Sequence, residues 1–238
     1  MGNRGELNYL HSQGCLSVQS IPLLEPNQLK SKIETMKIKP LILSLACFGA
    51  ISMSPLFAQE AVWQNSYKLE AAGKYTEAIA AIDSIPAAGP DGEFKVLRRA
   101  WLFYLSANYE DSIKEYRLAI DRNGKSVDAH LGVILPLMAE KRWVDAEQSA
   151  KSALELVPNN YNALLRLAIA QEAQTDWKGM EKTGQSLVEA YPTDASAYVY
   201  LARAKAWLGK KEEATAAYNA VLARIPGHLE AKAFIEKK

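Results

Sequence analysis

The chain has 238 residues, 49% of them apolar and 23% charged, with a formal net charge of +1. This composition is globular and excludes a wholly disordered chain, and a near-neutral chain has no field to gather nucleic acid or an anionic membrane. The only cysteines are Cys15 and Cys47, so no residue beyond 47 can join a disulfide or a thiolate metal site.

Residues 1–35 mix Gly, Asn, Gln, Ser and Pro without helical or strand periodicity. They read as upstream sequence or a disordered leader, with Met36 as the true start. From Met36 the pattern is that of a secretory signal: a basic start, a short apolar run, then a small residue at the cut. Lys37 and Lys39 supply the charge, Leu41 to Met53 is an uncharged run of thirteen, Pro55 ends it and Ala58 marks the cut. Leu56 is larger than the usual residue at its place. A transmembrane anchor needs about 20 apolar residues, and Pro40 and Pro55 trim this stretch below that. The expectation is a signal peptide over 36–58, a mature chain from Gln59, and a periplasmic or secreted protein. The alternative is an inner-membrane anchor that retains 41–57.

After Gln59 the sequence repeats. Pro90, Pro158, Pro192 and Pro226 stand on one 34-residue grid, with Gly124 in the missing slot. Tyr75, Tyr109, Trp143, Trp177 and Lys211 share a second position, and Ala78, Ser112, Ala146, Met180 and Ala214 a third. The frame divides the chain into 59–92, 93–126, 127–160, 161–194 and 195–228, leaving 229–238. Apolar residues at three and four spacing predict two helices per unit. A Pro or Gly closes each unit, and Ser126, Asn160 and Asp194 are candidate caps for the helices that follow. Leu229, Ala233 and Phe234 are expected to lay a short capping helix on the fifth unit, with Lys232 and Glu236 facing water.

These residues resemble the tetratricopeptide repeat. The period of 34, the turn of Gly73, Tyr75, Glu77 and Ala78, and the closing prolines carry the likeness over 59–228. The resemblance implies an all-α, right-handed α-solenoid of five helix-turn-helix repeats, whose first helices line a concave groove. Asn65, Arg99, Gln171 and Lys205 fall where that family packs apolar residues. Gly179 and Gly184 interrupt a helix interior, each at a cost of about 1 kcal/mol. The family's carboxylate clamp of Lys and Asn is replaced here by Leu, Trp and Ile.

Catalytic motifs are missing from the pattern. No HExxH, paired cysteines or Gly-rich phosphate loop is present, and the Gly-Lys-Ser at 124–126 lacks the preceding glycine of a P-loop. His130 reads as a packing residue and His228 as a solvated loop residue. No cofactor and no metal are expected, and the chain is read as a non-enzyme that binds no nucleic acid. The function expected is a protein-binding scaffold. Its groove is assigned to Trp63, Tyr67, Leu97, Arg98, Trp101, Tyr104, Leu135, Met138, Arg166, Ile169, Arg203 and Trp207, with Phe94, Leu131, Leu165 and Val199 beside them. Pro136, inside a predicted first helix, reads as a tolerated irregularity, the alternative being a kink that widens the groove beside Met138. Large apolar surfaces rich in aromatic and Arg residues are where proteins bind one another. The alternative function is a membrane-anchored structural protein that self-assembles, with membrane contact only if 41–57 is retained.

Overall fold

The computed structural model describes residues 55–237, within the unit Ser52–Lys238. The leader and residues 36–54 of the expected signal lie outside the described residues. Eleven helices follow in chain order: α1 Pro55–Ala71, α2 Tyr75–Ala81, α3 Gly89–Leu105, α4 Tyr109–Arg122, α5 Val127–Ala139, α6 Trp143–Leu156, α7 Tyr161–Ala173, α8 Trp177–Ala190, α9 Ala195–Trp207, α10 Lys211–Arg224 and α11 Leu229–Glu236. Neighbours in sequence pack as antiparallel pairs, and each pair packs on the next. The result is an α-solenoid, in which no pair could bury its apolar face alone.

One turn geometry joins the two helices of every pair. Gly73, Ala107, Lys141, Thr175 and Gly209 all adopt left-handed φ, between 59° and 76°. In each turn the following N–H reaches back over the helix end: Lys74 to Leu69 O, Asn108 to Phe103 O, Arg142 to Leu137 O, Asp176 to Gln171 O and Lys210 to Lys205 O, at 2.8–2.9 Å. This is the bonding of a Schellman motif, which satisfies carbonyls the helix leaves open. Only two of the five turns use glycine.

Five small or flexible side chains let the paired helices meet. Ala78, Ser112, Ala146, Met180 and Ala214 are all fully buried. Where the contact includes a hydroxyl, it is satisfied by the facing helix: Ser66 Oγ donates to Ala78 O at 3.0 Å, and Ser112 Oγ to Ala100 O at 2.7 Å. Gly184 belongs to this packing rather than weakening it, since a Cβ there would lie 2.9 Å from the Leu201 backbone. Gly132 serves Tyr116 in the same way, whose ring would be 2.2 Å from an added Cβ. At Gly179 the nearest atoms to an added Cβ belong to the Asp176 and Gln171 side chains, the first at 2.1 Å.

Three polar residues at apolar positions have local reasons. Asn65 is exposed, because no described pair precedes α1 to cover it. The second helix of the first pair, α2, has seven residues where the later second helices have fourteen. Arg99 pairs with Asp83 at 3.3 Å and Glu115 at 3.1 Å. Lys95 donates to Asp83 O and Ile85 O at 2.8 and 3.0 Å, a cation set just beyond a helix C-terminus. Gln171 is buried and accepts from Thr183 Oγ1 at 2.8 Å.

Four expectations are corrected. Pro90 does not close the first pair. It stands in the first turn of α3, where a missing N–H costs nothing. Ser126 occupies the cap position of α5 without a side-chain cap bond, while Asn160 and Asp194 accept from Ala163 N and from Ser196 N and Ala197 N. His228 is not a free loop residue, since its Nδ1 caps α11 by accepting from Ala231 N at 3.3 Å. The contact of α11 with the fifth pair is made by Ala231, Phe234 and Ile235, whereas Leu229 is 83% exposed.

Candidate functional site

The first helices form the inner layer. Helices α3, α5, α7 and α9 touch one another in succession, while second helices contact mainly their own partner and the following first helix. The expected residues stand on α1, α3, α5, α7 and α9, the helices of this inner layer.

Its N-terminal part is aromatic. Trp63 of α1 meets Phe94 of α3 edge to face at 4.7 Å. Trp101 lies 5.5 Å from Tyr104, which lies 5.9 Å from Tyr109. Tyr67 and Phe94 remain 49% and 41% exposed. Leu97, Leu131 and Met138 pack partly against the central core, and Leu135 and Ile169 are half-buried. Leu165 and Val199 depart from expectation: both are buried and contribute no surface. Helix α5 continues through Pro136, which is itself buried.

The arginines do not simply interrupt this surface. Arg98 is buried and forms an ion pair with Glu70, donates to Ser66 Oγ and lies 3.9 Å over the Tyr67 ring. Glu70 also accepts from Trp101 Nε1 at 2.9 Å, so one carboxylate ties α1 to α3. Arg203 of α9 bridges Glu172 of α7 at 3.3 Å and Glu230 of α11 at 2.6 Å, and Tyr218 Oη donates to Glu230 at 2.7 Å. Burial pushes the Glu230 carboxyl up, but the bonds from Arg203 and Tyr218 outweigh it and hold it below the usual range. The Glu230 bond drives the Arg203 guanidinium up. Burial, with Glu230 beside it, drives the Tyr218 phenol up.

Trp207 is separated from the other aromatics. It is 68% exposed and stacks on Trp177, with centroids 5.0 Å apart and planes 8° from parallel. The sequence pattern alone does not single out Glu70, Glu172 and Glu230 as partners of these arginines. Glu70 and Glu172 share the repeat position of Tyr104 and Met138, so the grid carried that signal.

Elsewhere, an open depression of about 570 Å³ lies on the loops between the third and fourth pairs, lined by residues 157–162 with Ala190 and Tyr191. Its polar groups serve the turn: Tyr191 Oη donates to Asn159 O at 2.7 Å and Tyr161 Oη to Asp194 at 3.0 Å. Burial and Asp194 push the Tyr161 phenol up to about 12. His130 hydrogen-bonds the Gly124 carbonyl at 3.1 Å, a local structural role. Among the described residues no group of three His, Cys, Asp or Glu could hold a metal ion, and no helix is long and apolar enough to cross a membrane.

Helix pairs in 34-residue register, with an inner face of mixed aromatic and paired-charge character, define a repeat solenoid. Residues 162–194 and 196–228 match the family described as tetratricopeptide repeat, so the fold is a solenoid of tetratricopeptide type. Among solved structures, a tetratricopeptide repeat protein from Parabacteroides merdae aligns with a TM-score of 0.65 at 14% identity, over 75% of this chain and 71% of that one. MamA from Desulfovibrio magneticus RS-1, from residue 41 onward, aligns with a TM-score of 0.63 at 11% identity, over 72% and 97%. A further MamA crystal structure gives 0.62 at 17%, over 71% and 96%. At these identities the likeness is one of fold. Curated proteins give no match to the sequence.

Proposed function

We propose that the chain is an exported, non-catalytic scaffold that holds a segment of another protein across the inner faces of α1, α3 and α5. The observation that carries this reading is the row of Trp63, Tyr67, Phe94, Trp101 and Tyr104, with Tyr67 and Phe94 left two-fifths or more in solvent after the fold is complete. Aromatic residues on a rigid concave surface are the usual anchors of protein binding.

Export rests on the sequence of residues 36–58, and the helix frame supports it. A cut after Ala58 would leave α1 as 59–71. Those thirteen residues equal the length of α5, α7 and α9 and stand in register with them. The protein would then work in the periplasm or outside the cell.

Replacing Tyr67 and Phe94 together by Ala tests the groove. Tyr67 covers Arg98 and Phe94 meets Trp63, so the pair should cost about 1–3 kcal/mol of stability without unfolding the chain, while cross-linking in the native cell envelope should lose the wild-type chain's partners. Retention of every partner sinks the groove reading. Intact mass by compartment tests export: a soluble species beginning at Gln59 is expected, and a membrane-bound species retaining 41–57 overturns it. Light scattering tests the self-assembling alternative, which a strict monomer at high concentration excludes.

A further inference from the structure

Arg98, Arg166 and Arg203 all stand on the inner face, and the fold treats one of them differently. Arg98 has Glu70, and Arg203 has Glu172 and Glu230. Among the described residues Arg166 has no carboxylate partner; its neighbours in the electrostatic sense are the phenols of Tyr116 and Tyr104. One N–H of Nη1 reaches the Leu131 carbonyl at 2.7 Å, and a guanidinium carries five such donors. The rest are not sealed away, because Arg224 Nε is the one buried side-chain nitrogen or oxygen without a partner among the described residues. Arg166 keeps part of its surface in solvent.

The position of this cation is built. One repeat earlier the same site is Gly132, whose missing side chain admits the Tyr116 ring. Arg166 reaches back from α7 to α5, next to the Gly132 carbonyl that Pro136, lacking an N–H, leaves without its helical donor. The guanidinium thus sits near the middle of the row of first helices. Tyr104, Leu135 and Met138 lie toward the N-terminal side and Ile169 one turn further along α7. A charge in such apolar company is costly until an opposite charge meets it.

We infer that Arg166 anchors the partner by receiving one internal acidic side chain, Asp or Glu, from a segment otherwise apolar. This rests on the groove reading above and names its chemistry. A single cation matches a single carboxylate, whereas a phosphate brings a charge of about −1.5 to −2 that no second base here would meet. Tyr104, Leu135 and Met138 flank Arg166 on one side and the half-buried Ile169 on the other, so the acid belongs within the segment and not at its end.

The test uses the full chain and dodecapeptides displayed on phage. Selection should enrich apolar and aromatic sequences carrying one Asp or Glu. A selected peptide is then synthesised with both ends blocked, alongside its Glu→Gln twin, and binding is read by fluorescence anisotropy. The twin should bind the wild-type chain about tenfold or more weakly, as expected for loss of a charged hydrogen bond. With Arg166→Gln the two peptides should bind alike, and Arg166→Lys should restore part of the preference. Equal binding of the twins to the wild type overturns the inference, as does a preference that survives Arg166→Gln, or binding that blocked ends abolish. The twin comparison alters only the peptide, so it holds even if a variant folds poorly. Peptides that ignore the swap but lose affinity on Phe94→Ala sink the anchor and leave the groove. Peptides that respond to neither change, or failure to select any, sink both.

Discussion

The two ends of the inner face are made from the same helix pairs and differ in what they do with their surface. Toward the N-terminus, α1 and α3 spend their carboxylate on a buried arginine: Glu70 meets Arg98, which is 5% exposed, and the aromatics above are left half in solvent. Toward the C-terminus, Leu165 and Val199 are buried, and the surface between α7, α9 and α11 carries Glu172, Arg203 and Glu230, each about one-third exposed. One end hides its charges and shows apolar rings. The other buries Leu165 and Val199 and shows paired charges, with Trp207 exposed on Trp177 at its edge. A solenoid can therefore confine binding to part of its groove without changing its backbone, because each repeat position is free to vary while the pair-to-pair packing is kept.

The largest expected effect comes from breaking the N-terminal arrangement. Arg98→Met removes one partner of a buried pair and leaves Glu70 uncompensated, which should cost about 3 kcal/mol by urea denaturation. Arg203→Met removes a pair that solvent already screens and should cost about 1 kcal/mol. Equal costs would mean that the two ends are not built differently. Between these falls Gly184→Ala, in α8 behind the C-terminal part. A Cβ 2.9 Å from the Leu201 backbone forces α8 and α9 apart, and overpacking of this kind costs about 1–3 kcal/mol. The gain in helix propensity, about 1 kcal/mol, offsets part of it. A net stabilisation would show that the helices can shift freely.

The C-terminal cluster also has a pH signature. The folded Glu230 carboxyl titrates below its ordinary value of 4.5. Its contribution is therefore complete above about pH 4.5 and is lost as pH falls through the lower folded value. The gap in stability between wild type and Arg203→Met should be constant from pH 7 to 5 and narrow below 4.5. A gap that stays constant to pH 3 would show that Glu230 does not carry the network.

Much of this architecture was legible in the sequence because a 34-residue grid is a long-range signal: five copies of a turn cannot coincide by propensity alone. The grid also held Tyr67, Trp101 and Tyr104 on one face. It could not show which charges would cancel. Arg98, Arg166 and Arg203 look alike in sequence, and only the placement of Glu70, Glu172 and Glu230 tells the satisfied pair from the open one. Nor could it foresee the shortened α2. The run after Ala81 keeps Ile82 and Ile85 buried without remaining helical, and Lys95 then fills a place that Ala129, Ala163 and Ala197 hold in later repeats. Pro90 departs from the grid for the same reason: it stands where the closing prolines stand, but an early end to α2 leaves it opening α3.

The smallest effect sharpens the comparison by applying to both ends alike. Ala107, Lys141 and Thr175 hold φ near 59° where Gly73 and Gly209 hold theirs freely. An L side chain is strained in that region, a β-branched one most of all. Thr175→Gly relieves the strain but gives the unfolded chain more freedom, which works against it. The net should be a gain of about 0.5 kcal/mol, with a smaller gain for Lys141→Gly and the smallest for Ala107→Gly. If thermal denaturation ranks the three in that order, the turn is a shared backbone device independent of the surface each repeat presents. If Ala107→Gly, in the aromatic half, stabilises more than Thr175→Gly, local strain is set by the groove and the two ends differ in their backbone as well as their side chains.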